Sequence, residues 1–244
     1  MEISAEQYNT KQPVVMYQRW EELLFLHWSF DPAVIQRTLP PGLTVDTFDD
    51  RAWVGVVPFF MSGVRPRFLP AVPGISGFQE LNLRTYVVDG QGRAGVWFYS
   101  LDTSHRMPVW IARKFFHLNY RFARMRAERS KQGIQYVSER RLRGEWDQRQ
   151  AFEWSRTGAA RPAERGSLDH FLVERYRLFS YNAQRKQLYS GRVSHVPYPV
   201  QDVKLGLFST QLFDLNDLAA PDRAPESSLA SAGVSVQIYP LSRM

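Results

Sequence analysis

The sequence predicts a mainly β (α+β) fold, an antiparallel β-barrel or cone with a few short helices. About ten segments combine β-branched and aromatic residues with turn signals at their ends, which is the pattern of strands. Helical patterns are few and short, and strands do not alternate with long helices. This organisation favours a closed antiparallel sheet over a doubly wound parallel one.

Composition predicts a globular protein with one domain. Hydrophobic residues make up 44% and aromatic residues 14% of the 244 residues, which is enough for a packed core. Residues 1–13 are polar and end at Pro13, so we expect a loose arm there and a single domain over 14–244. No internal repeat or change of composition marks a second domain.

The first third of the chain is predicted to be strands around one helix. ELLFLHWSF is a buried strand, and Asp31-Pro32 begins a short helix over AVIQRTL. LTVDTF and AWVGVVPFF form a hairpin around Asp49-Asp50-Arg51. Pro58 predicts an edge strand or a bulge. The next segment, RPRFLPAVPGISG, is a rigid loop that either covers a pocket mouth or only connects two strands.

The stretch that follows carries most of the predicted chemistry. A period of two in FQELNLRTYVV places one set of residues on a core face: Leu81, Leu83, Thr85 and Val87. The opposite face carries Phe78, Glu80, Asn82, Arg84 and Tyr86. This second face mixes charged and amide groups with aromatic rings.

A turn signal at Asp89-Gly90-Gln91-Gly92 brings RAGVWFYSL back antiparallel. The predicted register places Arg84 opposite Trp97 and Asn82 opposite Tyr99. Polar groups among aromatic rings are common in a wet cavity inside a barrel, so this face is interpreted as a pocket wall. The alternative is an outer sheet face with an Arg84–Trp97 cation–π pair.

A short amphipathic helix is predicted after Asp102-Thr103-Ser104. Pro108 fits its first turn, and VWIARKFFHL follows. Its polar side carries Trp110, Arg113, Lys114 and His117. The alternative to a functional role is that Lys114 and His117 lie on a solvated helix edge.

Further strands are predicted toward the C-terminus. They are FARMRAERS, IQYVSERRL, QAFEWSR, the hairpin RYRLFSY with QLYSGRVSH, and VSVQIYPL. Ser167 and Asp169 begin a short helical turn before that hairpin.

Charge and cysteine content narrow the class of protein. Lys plus Arg outnumber Asp plus Glu by 31 to 24, but acidic residues interrupt the densest basic run, RFARMRAERSK with ERRLR, and no nucleic-acid-binding motif accompanies it. We therefore do not expect nucleic acid as a partner.

The absence of cysteine excludes disulfides and thiolate catalysis. No signal peptide is visible, and no apolar run reaches the ~18 residues of a membrane span, so we expect a cytoplasmic protein without a membrane partner.

The common catalytic motifs are absent from the sequence. There is no GxSxG elbow, Walker A loop, GxGxxG turn or HExxH helix. The five histidines lack metal-ligand spacing, so we expect no metal and no cofactor. His195, at a strand end beside the prolines of HVPYPV, is kept as a candidate binding residue.

Several motifs together resemble the YqjF-like family of uncharacterised bacterial proteins. They are LPPGLTVDTFDDRAWVGVVPFFMSGVRP, FQELNLRTYVV, GVWFYSLDTS, ARKFFHLNY, FLVERYRLF, HVPYPVQDV and VSVQIYPL, in that order over residues 20–240. The resemblance implies a fold similar to acetoacetate decarboxylase, a β-cone or barrel that encloses a pocket.

Comparison with the decarboxylases implies that this pocket lacks their nucleophile. Their Gly-Arg-Glu is followed after four residues by Pro-Lys-Lys, whose first lysine forms a Schiff base. Here Ala112-Arg113-Lys114 is followed after four residues by Asn119-Tyr120-Arg121. The resemblance implies that Arg113 corresponds to the decarboxylase arginine and that Glu80 corresponds to an acidic residue of the decarboxylase pocket. A tyrosine cannot form an imine and an arginine stays charged, so Schiff-base decarboxylation is not expected.

The resulting hypothesis is a pocket for a small molecule that bears a carboxylate or carbonyl group. Glu80 and Tyr120 are the candidate catalytic residues, with Glu80 ionised beside Arg113. The candidate binding residues are Asn82, Arg84, Trp97, Tyr99, Arg113, Arg121 and His195. The sequence leaves three alternatives open: acid/base catalysis, a ligand sensor or interaction module without turnover, and a buried structural network of Glu80 with arginines. A homo-oligomer is compatible with the sequence.

Overall fold

The computed structural model describes residues 12–71, 76–105, 117–142 and 145–244. In these residues the chain forms three short helices: α1 Pro32–Gln36, α2 Leu168–Val173 and α3 Gln211–Asp214. It also forms fourteen strands: β1 Met16–Phe30, β2 Leu43–Val45, β3 Thr47–Phe48, β4 Arg51–Pro66, β5 Phe78–Asp89, β6 Ala94–Thr103, β7 Tyr120–Ser130, β8 Gly133–Leu142, β9 Glu145–Arg161, β10 Arg177–Asn182, β11 Gln187–Ser194, β12 Val200–Leu205, β13 Ser227–Ile238 and β14 Ser242–Arg243. The predicted mainly β fold is confirmed.

The strands form one sheet that closes on itself in a cone-like arrangement. Hydrogen-bonded neighbours lead from β5 through β4, β1, β13, β12, β9, β8, β7 and β6 back to β5. A second path branches from β6 through β10 and β11 to β13. The pairs β6–β7 and β6–β10 are parallel, and the other pairs are antiparallel. No helix in the described part of the chain combines the length and apolar character that a membrane crossing requires.

Strand β5 separates two hydrophobic cores. Leu81 and Leu83 pack in a core with apolar residues of β1, β4, β8 and β9. Phe78 and Tyr86, on the opposite face, belong to a core that includes residues of β1, β4, β11 and β13. The two faces predicted from the period of two are therefore confirmed, and both are buried.

Local sequence signals explain the first third of the fold. Asp31 caps α1 by accepting a hydrogen bond from the amide of Ala33 at 2.7 Å. Asp49 and Asp50 both have positive φ and form the tight turn between β3 and β4. Pro58 lies in a central strand rather than at the predicted edge, and the irregularity beside it is in the partner strand: β1 has one residue more between Glu21 and Leu26 than β4 has between Val56 and Phe60.

Two local predictions are wrong, and one helix was not predicted. Leu43–Val45 pairs with β5 rather than with β4. Asp102 and Thr103 end strand β6 instead of starting a helix, because their side chains are buried in the sheet. The helix α3 was not predicted. The helix predicted over VWIARKFFHL falls mainly within 106–116, outside the described residues.

A close approach between β1 and β4 requires a glycine. Gly55 pairs with His27 across the two strands, and a Cβ at position 55 would lie 2.7 Å from His27 Cδ2 and 2.8 Å from Nε2. The imidazole cannot move away freely, because it is fully buried and its Nε2 lies 2.7 Å from the Tyr86 hydroxyl.

We expect Gly55→Ala to destabilise the protein by roughly 2 kcal/mol, because overpacking of a filled core costs that order of free energy. Urea denaturation of both proteins measures the change. Gly90→Ala is the matched control, since a Cβ there meets no atom within 4 Å. If the loss is the same when His27 is also replaced by alanine, contact with the imidazole is not its cause.

Candidate functional site

A cavity of about 200 Å³ lies against the polar face of β5. Most of the described side chains that line it are apolar. Its polar groups come mainly from Glu80, Asn82 and Arg84 of β5, joined by Tyr120 at the start of β7. Glu80 and Tyr120, the two candidate catalytic residues, thus line the same cavity as two of the candidate binding residues.

The predicted register of β5 and β6 is wrong. Three residues, Gly90 to Gly92, separate the paired Asp89 and Arg93, and a bulge follows between Leu83 and Arg84. Arg84 consequently pairs with Phe98, and Asn82 pairs with Leu101. A loop longer by one residue and a bulge each shift the strand by one position.

Trp97 and Tyr99 therefore lie away from the cavity. Both line a separate cleft of about 380 Å³, in which the Tyr99 hydroxyl lies 2.7 Å from Thr38 Oγ1. Burial raises the pKa of Tyr99 to about 12. Phe98 and Leu118 line both the cavity and the cleft, so these two side chains lie between the compartments.

Glu80 is buried and hydrogen-bonded to Tyr120, whose hydroxyl donates to Glu80 Oε2 at 2.8 Å. Burial raises the pKa of Glu80 to about 8; the hydrogen bonds from Tyr120 and Asn82 lower it less, and the nearby charge of Asp102 adds to the rise. With the described residues around it, Glu80 is therefore mostly neutral at pH 7, whereas the sequence predicts an ionised Glu80 in contact with Arg113. The arginine on which that prediction relied, Arg113, lies outside the described residues, as does Lys114.

Arg84 is a buried cation, 9% exposed, that faces the cavity. Its Nη2 donates to the carbonyl oxygen of Leu172 at 3.1 Å and to the Tyr86 hydroxyl at 3.4 Å, whereas its Nε has no hydrogen-bond partner. In the described part of the chain, no carboxylate lies within 4.0 Å of this guanidinium. Asn82 Oδ1 is likewise buried without a partner.

Two other candidate binding residues lie outside the cavity wall. Arg121 is exposed, because the alternation of β7 points it away from Tyr120. Burial raises the pKa of Asp102, and the charge of Arg121 offsets a small part of that rise. His195 packs behind the wall, with ring centroids 4.6 Å from both Tyr176 and Tyr198. Burial lowers the pKa of His195 to about 4, and its Nδ1 donates to the carbonyl oxygen of Val196 at 2.7 Å.

Sequence reasoning missed a buried ion pair next to the site. Arg140 binds Asp102 in two places, with Nη2–Oδ1 at 2.5 Å and Nε–Oδ2 at 3.0 Å. Arg140 belongs to the basic run ERRLR, in which sequence reasoning assigned no buried charge, although it follows Tyr136 and Ser138 at a period of two. That alternation with buried residues was the available signal.

In the described ranges, no three His, Asp or Glu side chains come together as a ligand set. The basic run on β7 and β8 forms a mixed surface instead of a uniformly positive one. Arg124 pairs across the strands with Glu139, which in turn pairs with Arg149. Arg124 also stacks on Trp146, with its guanidinium carbon 4.1 Å from the ring centroid.

Comparison with known proteins identifies relatives over almost the whole chain. Residues 17–235 match the DUF2071 family, described as an uncharacterized conserved protein. The chain is 38% identical over 213 residues to the uncharacterized protein YqjF of Bacillus subtilis (strain 168). The aligned region covers 86% of this chain and 85% of that relative. The predicted resemblance to the YqjF-like family is confirmed.

Solved structures with a similar fold include acetoacetate decarboxylase-like proteins. The enduracididine biosynthesis enzyme MppR complexed with pyruvate has a TM-score of 0.62 at 16% identity, covering 98% of this chain and 94% of that one. An acetoacetate decarboxylase-like enzyme from Sphingomonas wittichii RW1 has a TM-score of 0.61 at 16% identity, and the match covers 99% of this chain and 97% of that one. Acetoacetate decarboxylase from Legionella pneumophila has a TM-score of 0.62 at 13% identity, and the match covers 99% of this chain and 92% of that one. These likenesses show the fold.

The raised pKa of Glu80 predicts a specific dependence of stability on pH. Its value rises from 4.5 to about 8 in the folded protein, so the folded state binds more protons between these values and stability falls as pH increases across them. The full effect is on the order of 5 kcal/mol. Glu80→Gln, which mimics the neutral acid, should remove most of this loss in urea denaturation at pH 5 and pH 9. Parallel pH profiles for the two proteins would show that Glu80 is not the group responsible.

Proposed function

The chain belongs to the DUF2071 family of uncharacterized conserved proteins, and we propose that its cavity binds a small, largely apolar molecule that carries a carboxylate or carbonyl group. The observation that carries this proposal is Arg84. It is a buried cation that faces the cavity without a carboxylate partner in the described residues.

A buried charge without a counterion is costly, and natural proteins pair such charges. A ligand carboxylate in the cavity would supply the missing counterion and accept a hydrogen bond from Arg84 Nε, which has no partner in the protein. Because burial keeps Glu80 mostly neutral at pH 7, it does not compete for the guanidinium. The polar end of the cavity therefore favours an anion.

The apolar walls of the cavity favour a particular chemistry for the part of the ligand that does not contact Arg84. Its walls include Leu23, Val57, Phe59, Met61 and Val193, so a hydrocarbon or aromatic group fits better than a second polar one. The MppR structure described above contains pyruvate, a keto acid with both functional groups. That complex supports the general class of ligand, while the apolar walls here favour a larger and more hydrophobic acid.

The neutral form of Glu80 suggests how the site could act on a carbonyl group. Glu80 Oε2 accepts the hydrogen bond from Tyr120, so a proton on Oε1 can be donated to a ligand oxygen. Schiff-base chemistry is not part of the proposal, since no lysine is among the described residues that line the cavity.

A ligand sensor without turnover is the second candidate. Glu80 is the one group among the described cavity-lining residues whose pKa lies near neutral pH, since burial raises the pKa values of Tyr120 and Tyr198 far from it. Proton-transfer catalysis commonly uses an acid and a base together. A single titrating group favours binding over turnover.

We expect Arg84→Met to weaken the binding of apolar carboxylates by about a hundredfold or more, because removing one partner of a buried charge pair costs several kcal/mol. Octanoate, phenylpyruvate and pyruvate form the probe set, with calorimetry at pH 7 as the measurement. Arg126→Met removes an exposed arginine of β7 and is the matched control. Equal affinities for the wild type and Arg84→Met would disprove the assignment of Arg84 as the carboxylate-binding residue. Tighter binding of pyruvate than of octanoate would disprove the preference for apolar acids.

Glu80→Gln should distinguish an enzyme from a sensor. The amide preserves the shape and the hydrogen-bond donor of the neutral acid, so affinity at pH 7 should change by less than about threefold. Any turnover that uses the Glu80 proton should fall by about a hundredfold or more, since an amide cannot transfer it. Proton exchange next to the carbonyl of phenylpyruvate, followed by NMR, measures this. Full exchange activity in Glu80→Gln excludes Glu80 as the acid, and no exchange in the wild type favours the sensor for this ligand.

A further inference from the structure

The turn after strand β4 presents two large apolar side chains to solvent. Phe68 is 86% exposed and Leu69 is 58% exposed. The turn itself is well anchored, because the Leu69 amide donates to Pro66 O at 3.2 Å and the Arg67 amide donates to Val15 O at 3.1 Å. A fixed turn with an apolar tip is costly in water unless something covers the tip.

The surroundings of this tip are basic. Three segments meet here, 12–18, 65–71 and 238–244, joined by the hydrogen bonds from Arg67 N to Val15 O and from Val15 N to Ile238 O. Together they carry Arg65, Arg67 and Arg243 and no Asp or Glu side chain. The Arg67 guanidinium lies 5.1 Å from the Phe68 ring centroid. Apolar tip and positive charge therefore occupy the same end of the molecule.

The tip also lies beside one end of the cavity. Met16, Val64 and Ile238 line the cavity and are partly exposed, and Met16 pairs with both Pro66 and Ile238. In contrast, lining residues farther along the same strands, such as Val57, are buried. The exposed turn is thus next to the partly exposed lining residues of the cavity.

We propose that the Phe68–Leu69 tip docks the protein on the surface of an anionic phospholipid bilayer. The two apolar side chains enter the interface, while Arg65 and Arg67 contact lipid phosphates. Neither contribution alone gives stable attachment, but a short apolar insertion with adjacent basic residues gives weak, reversible binding that salt reduces. The expectation of no membrane partner rested on the absence of a spanning segment, which does not bear on a peripheral contact.

A second copy of this chain fits the tip less well. A two-fold contact through this surface would bring the same basic surface of two copies together, and like charges repel. The tip is also a protruding turn, which suits a soft bilayer surface. In combination with the proposed function, docking would place the cavity next to the phase in which apolar acids accumulate.

Sedimentation of the full chain with lipid vesicles tests the docking. Vesicles of phosphatidylcholine alone are compared with vesicles that also contain phosphatidylglycerol, at about 0.05 M and 0.5 M salt. We expect binding to the anionic vesicles at low salt and release at high salt. The double substitution Phe68→Ser with Leu69→Ser should lower the partition coefficient by about tenfold or more.

Matched controls separate the tip from general surface effects. Val196→Ser with Leu207→Ser removes two other exposed apolar side chains, 56% and 55% exposed, and should leave vesicle binding unchanged. Arg65→Gln with Arg67→Gln should weaken binding to anionic vesicles, whereas Arg126→Gln with Arg185→Gln should have little effect.

Three results would overturn the proposal. The first is the absence of wild-type binding to anionic vesicles at low salt, and the second is equal binding by the tip variant. The third is concentration-dependent self-association in gel filtration that the tip variant abolishes, which would identify the tip as a contact between copies. Arg84→Met should bind vesicles like the wild type, so failure of the docking and failure of the carboxylate site are distinguishable.

Discussion

Strand β5 has both faces buried, and the sheet must close around it to bury them. Leu81 and Leu83 need an apolar core on one side, which β1, β4, β8 and β9 provide. Glu80 and Arg84 project to the other side, where full burial in a packed core would leave their polar atoms without partners. A cavity on that side resolves the conflict, because it leaves room for water or a ligand to complete their hydrogen bonds.

The two buried arginines near the site show the difference between a structural charge and an available one. Arg140 has its counterion in Asp102 and also donates to Ser100 Oγ at 2.8 Å. Arg84 donates to a carbonyl and a hydroxyl oxygen, and its Nε has no partner. Within the described residues, the protein thus pairs one arginine with a carboxylate and leaves the guanidinium of the other without one. The proposed ligand carboxylate would remove this difference between the two arginines.

How much could be predicted from the sequence depends on the kind of information needed. Alternation along β5 correctly separated its two faces, because the side-chain period of a strand is fixed by backbone geometry. The register with β6 depended on a loop length and a bulge that residue patterns do not specify, so Trp97 and Tyr99 were misplaced. The pairing of Arg140 with Asp102 joins residues 38 positions apart, and only the closed sheet brings them together.

The protonation of Glu80 depends on the balance between burial and hydrogen bonding, which sequence reasoning could not weigh. With burial dominant, the neutral acid leaves the positive charge of Arg84 uncancelled in the cavity. A carboxylate that binds to Arg84 would in turn make ionisation of Glu80 less favourable, because like charges in one cavity repel. Linkage is reciprocal, so protonation of Glu80 and binding of an anion must each promote the other. Tyr120, which the sequence resemblance places at the position of the decarboxylase lysine, donates a hydrogen bond to Glu80 and so belongs to the same coupled group of side chains.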